Sequence, residues 1–152
     1  MVDIVDAATR SRLMSGIKAK DTKPEMAIRK MLHAAGFRYR LHDKRLPGKP
    51  DLVLPKYRTA VFVHGCFWHG HESCSLFRIP KSKTEFWEEK ISQNIKRDSR
   101  HISELLAHGW RVLVIWECAT KGANKMTSED MIHRIKTFLK NADHSSGTIR
   151  AS

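Results

Sequence analysis

DLVLPKYRTAVFVH, residues 51–64, holds two short apolar runs around a four-residue break. DLVL (51–54) is long enough for a buried strand, and TAVFVH (59–64) is a second strand rich in β-formers. PKYR turns the chain back between them, so the two pair as a hairpin. The start of the first strand then faces the end of the second. That places Asp51 and His64 together at one end of a sheet.

Upstream, LPGKP (46–50) is a turn with a glycine between two prolines, and RYRLH (38–42) is an edge strand. DTKPEMAIRKMLHAAGF (21–37) carries helix signals. Asp21 or Thr22 caps it, Pro24 suits its first turn, Gly36 closes it, and Ile28, Met31, Leu32 and Ala35 share a face. Thr22 and Glu25 have the spacing of a capping box. Glu25 is equally an acid that a helix start aims at a metal site, and spacing alone favours the cap. Residues 1–20 read as an N-terminal arm or helix, with Met14 and Ile17 among Arg10, Arg12, Lys18 and Lys20.

Downstream, residues 84–108 read as a long helix. Phe86, Trp87, Ile91, Ile95, Ile102, Leu105 and Leu106 recur at three- and four-residue steps, and Gly109 ends it. WRVLVIWEC (110–118) is a third strand. Residues 128–141 form an amphipathic helix with Met131, Ile132, Ile135, Phe138 and Leu139 on its apolar face. Residues 142–152 read as a disordered tail. The order is a helix, a β meander, then helix, strand and helix. It predicts an α/β domain of two or three layers around a small mixed sheet, with the body at 21–141.

One domain of 152 residues with 41% hydrophobic and 29% charged residues is an ordinary globular chain. No run of eighteen apolar residues spans a membrane. Acids appear early at the N-terminus with no long apolar stretch, so a secretory signal is not expected and the cytoplasm is the default address. The charge is lopsided: 28 Lys and Arg against 16 Asp and Glu, a net +12. A polyanion such as nucleic acid is the natural partner, because each neutralised phosphate releases counterions. The plainer alternative is a basic protein kept soluble by its charge.

VFVHGCFWHGHESC (61–74) crowds three histidines and two cysteines together with the adjacent rings of Phe67 and Trp68. The chain has three cysteines, an odd number that argues against a disulfide framework. Cys66, His71 and Cys74 lie close enough in sequence to share one ion, and Cys118, ending the third strand, supplies a fourth ligand. A closed Cys₃His set is a structural zinc site. The alternative is three buried thiols and a surface histidine, and the spacing is not the usual C-x₂-C. His64 and His69 remain, with His69 competing with His71 for zinc. A carboxylate beside two imidazoles in a basic protein suits metal-assisted phosphodiester cleavage. Asp51 holds Mg²⁺, a hard oxygen-seeking ion, and an imidazole takes a proton from water. Each residue also has a plain reading: Asp51 as a turn residue or partner of Arg58, His64 as a satisfied strand-end histidine. A zinc-dependent DNA-binding module without catalysis, a nuclease making double-strand breaks and an RNase are the rivals. A cysteine hydrolase using Cys66 and His69 is disfavoured, since a thiol committed to zinc is not a free nucleophile.

ATRSRLMSGIKAKDTKPE, LPGKPDLVLPKYRTAVFVHGCFWHGH, TEFWEEKISQNIKRD and GWRVLVIWEC together resemble the very-short-patch mismatch repair endonucleases. These belong to the restriction-endonuclease-like superfamily. The resemblance runs from about residue 8 to about residue 140. It implies a central mixed sheet flanked by helices, with a structural zinc site and an N-terminal DNA-contacting arm over residues 1–20. It further implies a bacterial, cytoplasmic monomer, nucleoid-associated when bound to DNA. Its activity is a Mg²⁺-dependent nick 5′ to the thymine of a T·G mismatch in double-stranded DNA, formed when 5-methylcytosine deaminates. A functional link to a cytosine-5 DNA methyltransferase and contacts with mismatch-repair proteins go with it. By the same resemblance Asp51 and the backbone carbonyl of Val63 hold Mg²⁺, His64 is an active-site imidazole, His69 is the general base and Glu25 reaches the metal's water shell. Position 63 is often threonine in that family and is valine here. Phe67, Trp68 and Trp87 resemble wedges that unstack bases beside the mismatch, with Met14 and Ile17 approaching from the other groove. Lys90 and Asn94 match positions that read base edges.

Overall fold

The computed structural model describes residues 21–151. The N-terminal arm over residues 1–20, with Met14 and Ile17, lies outside the described residues. Thr22 opens helix α1 (Lys23–Ala34): its hydroxyl accepts the Glu25 N–H at 3.3 Å, and Pro24 occupies the first turn, where a missing N–H is no loss. There follow β1 (Arg40–Leu41), β2 (Leu52–Leu54), β3 (Thr59–His64), helix α2 (Thr84–Ala107), β4 (Arg111–Trp116), helix α3 (Ser128–Lys140) and β5 (Ser146–Ile149).

The five strands form one sheet in the order β1-β2-β3-β4-β5. β1, β2 and β3 are antiparallel, whereas β4 pairs parallel to β3 and to β5. Successive side chains on a strand point to opposite faces, and both faces of this sheet are covered. Leu52, Leu54, Val61, Val63, Leu113 and Ile115 face Ile28 and Leu32 of α1 and Met131, Ile135 and Leu139 of α3. Ala60, Phe62, Val112 and Val114 face Leu105 of α2, with Ile102 and Leu106 beside it. The result is the three-layer, mixed-sheet arrangement expected of a restriction-endonuclease-like fold. Because β3 and β4 run parallel in register, His64 against Trp116, the segments that leave both strands emerge side by side. This alignment positions the site.

Three expectations are corrected. The tail expected to be disordered is ordered over its described residues, 142–151: Ser146–Ile149 is a strand paired with β4 from Val112 to Ile115, and Ile149 is buried. SGTI has no hydrophobic pattern to betray it, and its backbone hydrogen bonds place it there. On α2, Trp87, Ile91 and Leu105 are buried, but Phe86 and Ile95 are 52% and 45% exposed. Ala35, at the end of α1, is also exposed.

Candidate active site and metal centre

A cleft of about 800 Å³ opens where β3 ends, and Asp51, Val63, His64, His69 and Asp98 line it together with the rings of Phe67 and Trp68. Lys49, Arg97 and Lys121 also line it and could meet a phosphate backbone, alongside the acids Asp51, Asp98 and Glu117. Asp51 leads into β2, and its Oδ2 accepts the N–H of Val63 at 2.7 Å. The hairpin thus joins the start of one strand to the end of the next. Burial pushes the Asp51 carboxyl up to about 7, the charge of neighbouring Glu25 adds to this, and the Val63 N–H opposes it. Glu25 itself is buried behind the cleft. Its Oε1 accepts the N–H of Asp21 at 3.0 Å, so it does cap α1, and it lies close enough to Asp51 to raise that carboxyl. The capping residue is thus also a neighbour of Asp51.

His64 and His69 stack with ring centroids 3.8 Å apart and planes 1° from parallel. Lone pairs of stacked rings lie in parallel planes and do not converge on one ion. His64 is buried against Phe62 and the edge of Trp116, and burial followed by the proximity of His69 lowers it to about 3. It is therefore neutral, and the stack holds at most one charge. His69 Nδ1 is 2.5 Å from Asp98 Oδ2. That bond fixes a proton on Nδ1 and leaves Nε2 as the acceptor, the arrangement a general base needs. Asp98 was not among the residues singled out from the sequence. Replacing Asp98 with asparagine lets the ring turn or take the other tautomer, and nicking is expected to fall by about 10²- to 10⁴-fold. Single-turnover rates on a mismatched duplex measure this, and a rate within a few-fold of wild type contradicts the pairing's role.

The sulfurs of Cys66, Cys74 and Cys118 and a nitrogen of His71 lie within 4.8 Å of one another. His71 Nδ1 is 3.5 Å from Cys66 Sγ and 3.6 Å from Cys118 Sγ. A tetrahedron with bonds of about 2.3 Å to sulfur and about 2.0 Å to nitrogen puts those atoms about 3.5 Å apart, so the donor set fits zinc. His71, not His69, is the histidine in this set. Burial pushes the Cys66 thiol up and the His71 imidazole down. A neutral imidazole is ready to ligate, and buried thiolates need a cation to persist. N–H groups of Cys118 and Ala151 donate to Cys66 Sγ and Cys118 Sγ at 3.3 and 3.4 Å. Gly70 lets this loop dock on α2: at φ +60° a Cβ there would meet Ile91 and Ile95 at 2.7 Å.

The aromatic residues are less bare than the sequence suggests. Phe67, Trp68 and Trp87 meet one another edge-on at 5.1 to 5.8 Å, and Trp87 is only 6% exposed. Phe67 and Trp68 are half-buried beside the cleft. Asn94 is buried, with its amide donating to the Trp68 carbonyl at 2.9 Å and its oxygen accepting from Arg97. In this conformation Asn94 holds the Phe67–Trp68 loop and does not face outward. Lys90, one turn earlier, is half-buried.

The model of the DNA mismatch endonuclease Vsr family matches residues 2–75. The DNA mismatch endonuclease Vsr of Escherichia coli (strain K12) is 46% identical over 139 residues, 91% of this chain and 88% of that protein. The chain belongs to the Vsr family of DNA mismatch endonucleases. Similar Vsr-family proteins include the Type II nicking enzyme V.NmeAIP of Neisseria meningitidis, 49% identical over 142 residues, 93% of this chain and 99% of that one. The Type II nicking enzyme V.XorIIP of Xanthomonas oryzae pv. oryzae is 48% identical over 118 residues, covering 78% and 86%. Membership in the Vsr family makes the protein a DNA-acting nuclease, a hydrolase, and sets aside the readings as a non-catalytic module or a cysteine hydrolase. Among the described residues no helix is long and apolar enough to cross a membrane.

Proposed function

We propose that this protein nicks one strand of double-stranded DNA 5′ to the thymine of a T·G mismatch, by Mg²⁺-dependent phosphodiester hydrolysis. The nick opens a very-short-patch repair of deaminated 5-methylcytosine, beside a cytosine-5 methyltransferase. The observation that carries the reading is the meeting of Asp51, His64 and the His69–Asp98 pair in one cleft beside the Phe67–Trp68 loop, in a chain of the Vsr family. Asp51 and the backbone carbonyl of Val63 are the oxygens that would hold a hard divalent cation. When bound, such a cation would supply Lewis-acid polarisation of the phosphate and charge stabilisation at the leaving oxygen.

The chain's own groups supply the proton chemistry. His69 Nε2 accepts a proton from the attacking water while Asp98 holds Nδ1–H and steadies the imidazolium that forms. Neutral His64, stacked beneath, keeps the ring in place without adding a competing charge. Glu25 sets the orientation of Asp51 from behind. The Val63 side chain belongs to the core beneath the sheet, so valine in place of threonine changes packing and leaves the cleft's polar groups as they are. The Cys₃His site, with zinc, pins the loop bearing Phe67 and Trp68.

The loop rings select the mismatch because a mispaired step is easier to unstack. Replacing Trp68 with alanine is therefore expected to lower the preference for T·G over T·A by about tenfold, in the ~1–3 kcal/mol range of one base–aromatic stack. Unchanged discrimination would count against wedging. The reading as a whole is tested by strand-resolved cleavage of T·G, T·A and C·G duplexes with Mg²⁺ and with chelator. Cutting of paired duplex at the same rate, or full activity in chelator, refutes it.

A further inference from the structure

Behind Glu25 lies a group of charged residues with no part in the reaction described so far. His42 Nε2 is 2.8 Å from Glu25 Oε2. Arg29 Nη1 is 3.4 Å from the same oxygen and 2.7 Å from Asp21 Oδ1. Ligand atoms of Asp21, Glu25 and His42 lie within 4.8 Å of one another. The Arg29 guanidinium already bridges the two carboxylates, so the positive charge this cluster needs comes from within the chain.

His42 differs from its neighbours in touching both acids of the candidate active site. Its ring meets Glu25, and its backbone N–H donates to the Asp51 carbonyl at 3.1 Å. It leaves β1 in the left-handed region, φ 47°, a conformation that a non-glycine residue seldom adopts. The turn brings the ring back to Glu25 while the main chain stays on Asp51. Glu25 is buried and has three side-chain rotors to fix. Its Oε1 is held by the Asp21 N–H and its Oε2 chiefly by His42, since Arg29 is shorter to Asp21. With both oxygens tied from behind, the carboxylate is held in one orientation beside Asp51.

We propose that His42 is a positioning residue of the active site, locking the Glu25 carboxylate against Asp51 so that the two acids are aligned before a divalent cation arrives. The proposal rests on the reading of Asp51 as the cation's ligand. Outer partners of a metal ligand typically change affinity by about 10- to 100-fold when removed.

The test uses the full-length protein with a T·G duplex. Mn²⁺ affinity of the enzyme–DNA complex is read by electron paramagnetic resonance, alongside the Mg²⁺ needed for half-maximal nicking and duplex affinity in chelator. His42→Ala is expected to weaken Mn²⁺ binding and raise the half-saturating Mg²⁺ about tenfold, with duplex affinity unchanged. His42→Gln, whose amide nitrogen reaches as far as Nε2, is expected to restore both to within about threefold. In a Glu25→Gln background, His42→Ala is expected to have no further effect on Mn²⁺ affinity, because the two act through one interaction. Wild-type Mn²⁺ affinity in His42→Ala, a loss that glutamine leaves unrepaired, or a full additional loss in the Glu25→Gln background each overturns the proposal. Asp51→Asn serves as the reference. If it nicks at the wild-type rate, the metal reading falls and the proposal with it; if it is inactive while His42→Ala binds Mn²⁺ normally, the positioning role alone falls.

Discussion

Asp51→Asn is expected to abolish nicking, by about 10³-fold or more, while affinity for a T·G duplex in chelator stays within a few-fold of wild type. Asparagine keeps the shape of the side chain and can still accept the Val63 N–H, but it lacks the charge that a hard cation requires. The same variant is expected to have an opposite effect on stability. The carboxyl is raised from 3.8 to about 7 by burial and by Glu25. Between those values the folded chain keeps a proton that the unfolded chain has released. The group's contribution to stability is thus full below the unfolded value and lost as pH rises through about 7. Without metal, asparagine at this position should raise the melting temperature at pH 8, and the gain should shrink toward pH 4. Saturating Mg²⁺ should stabilise the wild type and not the variant. In the wild type, proton and cation compete for one carboxylate. The half-saturating Mg²⁺ should therefore fall by about tenfold per pH unit below neutrality and level off above it. Nicking at the wild-type rate by Asp51→Asn, or a metal requirement indifferent to pH, rules out Asp51 as the ligand.

What could be read in advance follows from how local each signal is. β3 shows in TAVFVH because six successive residues are buried on two covered faces and nothing polar interrupts them until His64. The Cys₃His set was legible because the chain has no other cysteines to spend, and the parallel pairing of β3 with β4 brings Cys118 to the loop. Asp98 was not legible. It is one of several acids on a 24-residue helix, and only the docking of α2 on the loop turns it toward His69. Trp87 and Phe86 show the same limit in reverse. They are adjacent on that helix, yet one is buried under the aromatic loop and the other exposed, because the loop covers only one side. β5 was missed because its place is set by backbone pairing with β4 and by Gly147 lying against Phe138, neither of which leaves a hydrophobic period.

Cys118→Ser is expected to lose the bound zinc and to unfold at a temperature lower by about 10 °C or more. Cys118 reaches the cluster from the short turn after β4, whereas Cys66, His71 and Cys74 all come from one loop. It is therefore the ligand that ties the loop to the sheet. Its removal leaves three ligands on an irregular segment held to the body chiefly by packing against α2, through Gly70 and the Phe67–Trp68–Trp87 rings. A serine in a buried thiol's place would cost about 1–3 kcal/mol on desolvation grounds even with no metal present. Stability alone therefore does not decide the matter; metal content does. Wild-type protein should retain about one zinc per chain after dialysis against a weak chelator, and the variant close to none. Cys118→Ala separates the two effects further, since it buries no hydroxyl and should still lose the metal. Amide exchange should quicken over residues 66–76 in both variants, while β2 and the α1–α3 face stay protected. Mismatch discrimination should fall with the loop, because Phe67 and Trp68 are then no longer held at the cleft. A Cys118→Ser protein that keeps a full equivalent of zinc and its melting temperature would show that these four side chains are not one metal site.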